Sequence, residues 1–326
     1  MDAFVQAIVA IRQKIDDVRS ERLLQSKSFS QLLRFGIFVL FILILIRLVD
    51  FSLLPALFRQ VRLEIVCGAI LFYFGNMAIR AYRLTLIFNR SSPKMSFKDA
   101  YAMTLIGVAL NIFIPATLGD IGRSYYGYKL YGVKERMLSA VIVDKLFAFC
   151  ALFLLGGIAG LFLSEYNMAA VAFAMAGLTG LPLLFPALVP WMWLNRLLAF
   201  AGKSLNAEEL VSAFRLPFKL KFVSMEISLA GWLSNSIFFY VLCLAFAVEI
   251  EISYVLFIMP AVSIARLFPF TINALGPTEL AFTYFLGLIG INPTVAISMS
   301  LLSNMISSII PGSVGFILMG KLGKAA

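Results

Sequence analysis

Asn111, Gly119, Asp120 and Arg123 fall in the stretch NIFIPATLGDIGR, which sets an amide, a proline, a glycine, a carboxylate and a guanidinium in an apolar chain. Pro115 stops a helix from running straight on. A helix restarting after Gly119 would present unpaired N–H groups and the positive end of its dipole, a ready site for phosphate or carboxylate. Arg123, one turn in, adds a forked cationic donor. Asp120, three residues before Arg123, is placed to pair with it, either as an empty-site partner or as a structural ion pair. Asn111 is placed to satisfy carbonyls released by the break. A second stretch, FPFTINALGPTE, has the same character. Gly276 suits a cap, Pro277 the first helical position and Glu279 the first turn, with Arg266 and Asn273 on the incoming side. Asp144 and Lys145 are adjacent in a later apolar run, so they point in different directions and need separate partners.

These residues need elements to carry them. The chain of 326 residues is 61% hydrophobic and 13% charged, with a mean hydropathy of +0.95, where a soluble domain is about a quarter charged. Apolar runs long enough to cross a bilayer recur. Full spans are predicted at 33–50, 65–89, 137–163, 168–190, 222–247 and 295–320 in one domain over 33–320, with a short tail at 321–326. The two stretches that remain, 100–131 and 253–291, are tight for two crossings each and are interrupted by glycine and proline. They read as re-entrant pairs, each a helix going part way in, a break, and a helix returning. The expected fold is an all-α polytopic transmembrane bundle with two re-entrant pairs in an inverted-topology repeat.

Charge placement supports the spans. With a cytoplasmic N-terminus, the cytoplasmic segments carry 19 Lys and Arg, and the opposite loops only Arg59 and Arg62. That asymmetry puts both termini in the cytoplasm of a multi-pass cell-membrane protein. It also accounts for the net charge of +10 through topology and anionic lipid rather than nucleic acid. Residues 1–32 carry an apolar stripe at Phe4, Ile8, Ile11, Ile15 and Val18, as in a helix lying on the membrane surface. Arg47, Arg80 and Arg83 lie toward span ends and read as side chains snorkelling to the interface. The tyrosines at 125, 126, 128 and 131 read as an interfacial belt. The chain has no histidine, and its three cysteines share no metal or disulfide spacing. Nothing implies a cofactor.

LGDIGRSYYGYKLYGVKERMLSAV and LGPTELAFTYFLGLIGINPTVAISM share a skeleton. Each has Leu-Gly, an aromatic-rich helix, a glycine (Gly132 or Gly290) followed by Val or Ile, and then a span rich in small residues. Paired broken helices in inverted repeats mark the substrate site in many transporters.

At these residues the chain resembles the lysylphosphatidylglycerol synthase transmembrane, or flippase-like, family. The resemblance rests on Asn111, Pro115-Ala116, Gly119-Asp120 and Arg123, on the arginines 80 and 83, and on Gly276 and Glu279 in ALGPTE. The family's acid–base pair falls on Asp144-Lys145. The chain departs from the family's pattern at Asp144-Lys145, a conservative variant of the usual Glu-Arg, and at Ala148 and Ala274. The resemblance implies translocation of a lipid or lipid-linked sugar, in a family some of whose members are fused to a cytosolic aminoacyl-lipid synthase; a chain complete as given is expected to be a stand-alone module. The reading of the two breaks and this resemblance together mark for substrate Asn111, Gly119, Asp120, Arg123, Asp144, Lys145, Arg266, Asn273, Gly276 and Glu279. The expected partner is a membrane lipid or polyprenyl-phosphate-linked substrate, joined by a cytosolic or membrane lipid or glycan synthase or by a second copy of the chain. No phosphate-binding GxxxxGK[ST] loop is present, so any drive comes from ions, a lipid gradient or a partner. A membrane-embedded lipid-modifying transferase and a scaffold for a cytosolic synthase are the competing expectations. The absence of histidine counts against the transferase.

Overall fold

The computed structural model describes residues 43–325 except 45, 51, 54, 56, 58, 60, 91, 115–117, 189–210, 212 and 267–274. Among these the chain is helical, without strands. Five helices are long and apolar enough to span a bilayer. They are α1 (Leu63–Phe88), α4 (Lys134–Phe162), α5 (Tyr166–Leu184), α6 (Phe218–Ala245) and the final helix Pro293–Lys321. They fall on five of the six predicted spans. The sixth, at 33–50, and the surface helix expected at 1–32 lie largely or wholly outside the described residues.

The two interrupted stretches become helix pairs. In the first, α2 (Phe97–Phe113) is followed by a break and α3 (Gly119–Tyr131). In the second, α7 (Ile252–Ala265) is followed by a break and α8 (Pro277–Leu288). The final helix begins as α9 (Pro293–Asn304) and continues as α10 (Ile310–Ala325) through a π turn at Met305–Ile309. Pro311 accounts for the turn, since its missing N–H and its ring disturb the ladder just before it.

The sequence writes its own stops. Ser96 caps α2 by accepting from the Asp99 amide, and Asn292 caps α9 by accepting from that of Thr294. Gly132 and Gly290 follow the ends of α3 and α8 with φ of +74° and +81°, a left-handed conformation open to glycine. The two glycines that aligned in the sequence therefore perform the same turn.

Packing repeats as well. α1 lies against α6. The first helix of each interrupted pair rests on the long helix of the other half: α2 on α10, and α7 on α4. Glycines on the long helices make both contacts close. A side chain at Gly315 would strike the Leu105 backbone, and one at Gly156 would strike the Pro260 ring. In sequence order the helices α1, α2, α3 and α4 thus correspond to α6, α7, α8 and the final helix. α4 is the central member, 56% buried over its most apolar window against 22% for α5.

The α2–α3 turn is equally tight. A Cβ at Gly119 would collide with the Asn111 backbone, so Gly119→Ala should cost about 1–3 kcal/mol through overpacking. Thermal unfolding in detergent checks this; an unshifted transition would mean that the turn has slack.

Candidate functional site

Six charged side chains meet where α1, α3 and α4 converge. Asp144, from the middle of α4, accepts from Arg83 Nε of α1 at 2.7 Å and from Arg123 Nη2 of α3 at 2.7 Å. Arg83 Nη1 also donates to Ser228 Oγ of α6 at 2.8 Å, and Arg123 Nη1 to Thr104 Oγ1 of α2 at 3.4 Å. Asp120, at the start of α3, is held by Lys145 Nζ and faces Arg80 Nη2 at 3.9 Å. Asp120, Arg123, Arg83 and Asp144 are all buried. Gly107 lets α2 close over them, since a Cβ there would come within 2.9 Å of Asp120 Oδ1 and 3.0 Å of the Arg123 side chain.

Four cations surround two carboxylates, so the cluster holds two positive charges in excess. An uncompensated charge inside a membrane protein is costly and marks a functional path. Two polar atoms in the cluster, Asp120 Oδ1 and Arg123 Nε, are buried without a hydrogen bond.

The arginines of α1 line a cavity of about 110 Å³ between α1, α4 and α6, bordered by Tyr73, Asn76, Ser228, Trp232, Asn235 and Arg266. Pockets for whole drug-sized ligands run to about 300–1,000 Å³. This one has room for a headgroup fragment and leaves hydrocarbon outside. Arg266 caps the end of α7 and brings that helix end to the cavity, while Arg80 reaches from the cavity towards Asp120 at the start of α3.

Several sequence expectations need correction. Asp120 and Arg123 do not pair with each other. Each finds its partner on α4, because the neighbouring helix offers opposite charge in better register than the local turn does. Asp144 and Lys145 do take separate partners. Arg83 is not an interfacial side chain; the end of α1 is buried, with Ile87 and Phe88 only 2% and 1% exposed, and its guanidinium is ion-paired. Arg80 is half-buried in the cavity. Arg47 is exposed.

The helix tips also differ from expectation. The Asp120 amide donates to Asn111 Oδ1 at 3.2 Å, so Asn111 satisfies a donor rather than a released carbonyl. The Gly276 amide, at φ +100°, donates to Glu279 Oε2 at 2.6 Å, and Ser300 donates to Glu279 Oε1 at 3.3 Å. Both tips are thus capped by the protein's own side chains, and these two amides are not open to a cargo. Glu279 is fully buried as a cap and does not line the cavity. Asn273 lies outside the described residues. The tyrosines divide: Tyr125 and Tyr128 are exposed, while the Tyr131 hydroxyl donates to Asp99 at 2.5 Å.

Sequence reasoning missed Tyr73, Asn76, Ser228, Trp232 and Asn235. Their signal is helical spacing. Tyr73, Asn76, Arg80 and Arg83 form one polar stripe on α1, and Ser228, Trp232 and Asn235 form another on α6. The cysteines are free, and no group of metal-ligating side chains occurs among the described residues.

The family described as "Lysylphosphatidylglycerol synthase TM region" matches residues 31–315. No curated protein matches the chain.

Proposed function

Since the chain belongs to the lysylphosphatidylglycerol synthase transmembrane family, a family of lipid-related membrane domains, we propose that it moves the phosphate-bearing headgroup of a lipid between leaflets without altering it. One observation carries this reading: a buried cluster with two positive charges in excess borders a cavity with room for a headgroup fragment in an apolar bundle. A phosphate supplies the missing negative charge, and arginine donates to its oxygens in pairs. The acyl or polyprenyl chains stay in the surrounding lipid.

The helix lengths support partial insertion of the two broken pairs. α2, α3, α7 and α8 hold 17, 13, 14 and 12 residues, short of the roughly 20 needed to cross. Each pair then returns to the side it entered. With α4 antiparallel to α1 and α5 reversing again, α6 runs opposite to α1, which makes the two halves an inverted repeat. Rocking one half against the other about the α1–α6 contact would expose the cavity first to one leaflet and then to the other.

Purified protein in phospholipid vesicles tests the reading with a leaflet-specific assay. Unmodified lipid crossing faster than in empty vesicles is the expected outcome. A chemically new lipid would make the protein a transferase, and neither result would leave a scaffold; both overturn translocation.

A further inference from the structure

The distribution of charge around the cavity says which headgroups it can hold. Its charged lining is Arg80, Arg83 and Arg266, with no carboxylate among the described residues. The carboxylates nearest to it stand behind the arginines. Asp120 lies beyond Arg80 and is held by Lys145; Asp144 lies beyond Arg83 and is shared with Arg123. Their side chains are only 2% and 4% exposed. The third buried acid, Glu279, is spent on the Gly276 amide and Ser300. Neither break can add another, because 115–117 reads PAT and 267–274 reads LFPFTINA.

The rest of the lining is neutral. Asn76 Nδ2 donates to the Gly231 carbonyl at 2.7 Å, and Trp232 Nε1 to that of Ala148 at 2.6 Å. The one donor of Trp232 is spent and its ring face remains, while Asn76 keeps its second amide N–H and its amide oxygen. Asn235 contributes an amide with both donor and acceptor capacity. A phosphate placed among the guanidiniums would therefore have its substituent beside an aromatic ring and amides, groups that suit hydroxyls. The rings of Tyr73 and Trp232 can attract an ammonium through their faces, but an ammonium on that substituent would share the space with three cations and no partner acid.

We propose that the cavity takes a lipid phosphate whose remaining headgroup is uncharged and hydroxylated, and rejects one carrying an amine. This rests on the translocation reading and narrows its cargo. Rejection works by like-charge repulsion in a desolvated space rather than by size. It would place this chain after a reaction that forms a phosphodiester to a polyol or sugar, not one that adds an amino acid to the lipid.

The test compares three probes in the same vesicles: phosphatidylglycerol, phosphatidylethanolamine and lysylphosphatidylglycerol. Phosphatidylglycerol should cross at least tenfold faster than lysylphosphatidylglycerol, with phosphatidylethanolamine between them. Asn235→Asp, which puts a carboxylate on the lining, should narrow that ratio by about tenfold. Equal rates for the first and third lipids, or a ratio unmoved by Asn235→Asp, overturn the selectivity. Should none of the three cross, translocation itself falls, and binding still decides the inference. Short-chain forms of the lipids, added to detergent-solubilised protein, should raise its unfolding temperature in the same order. A reversed or flat order overturns the proposal. Soluble glycerol phosphate is the arm for a free anion: a shift as large as that from short-chain phosphatidylglycerol at equal concentration overturns the lipid assignment.

Discussion

Asp144→Ala should leave little folded protein. Among the described residues, this carboxylate ties Arg83 of α1 and Arg123 of α3 to the centre of α4 through two bonds of 2.7 Å. Its removal leaves Arg83 and Arg123 buried without a counter-charge, with Arg80 and Lys145 of the same sign nearby. Breaking a buried pair in this way costs about 3–5 kcal/mol, a large share of the roughly 5–15 kcal/mol that holds a domain. The expected result is loss of the monodisperse peak in detergent and a marked drop in unfolding temperature, with Asp144→Asn intermediate because it keeps one acceptor. Glu226→Ala, at an exposed position on α6, should behave as the parent. A triple replacement, Asp144→Leu with Arg83→Met and Arg123→Met, should recover folding, since an apolar trio of similar volume avoids the desolvation cost. It should not recover movement of lipid. A parent-like Asp144→Ala would show that the helices are held by hydrocarbon packing alone.

This pairing is also where reading from sequence stopped short. The five long helices were legible because a bilayer demands about twenty apolar residues, and their predicted ends lie close to those observed. The breaks were legible because glycine and proline mark them. Gly132 and Gly290 were legible as matching turns, since their shared backbone conformation requires the residue type that betrayed it. Partner choice among charges was not legible in the same way. Asp120 and Arg123 are neighbours on one helix turn, yet Asp120 is held by Lys145, twenty-five positions away. Spacing along a helix predicts which side chains can meet, whereas burial by the next helix decides which do. Arg83 misled for a related reason. Hydropathy places it near a span end, and only packing shows that this end is covered. The capped tips carry the same lesson: Asn111 and Glu279 were legible as polar residues at breaks, but not as ones already spent on the backbone.

Arg80 offers the sharpest functional test because the structure asks least of it. Its side chain is 27% exposed, and its nearest carboxylate oxygen is 3.9 Å away, so its loss should disturb folding far less than loss of Asp144. It nevertheless lines the cavity and supplies one of the charges that Asp120 and Asp144 leave uncancelled. Arg80→Gln should slow lipid movement by about 10–100-fold, the worth of a hydrogen bond to a charged group at roughly 1.5–3 kcal/mol. Arg80→Glu removes the remaining positive excess and should abolish movement of an anionic lipid, while Arg80→Lys should retain most of it. Glutamine and glutamate are nearly the same size, so a side chain needed only for packing would make those two variants alike. The ordering lysine, glutamine, glutamate, in variants that keep the parent's unfolding temperature despite facing Asp120, marks net charge at the cavity as what holds the cargo. Lipid movement by Arg80→Glu at the parent rate would remove the cationic excess from the mechanism, because this change reverses a charge at the cavity while leaving the tight ion pairs of Asp144 in place.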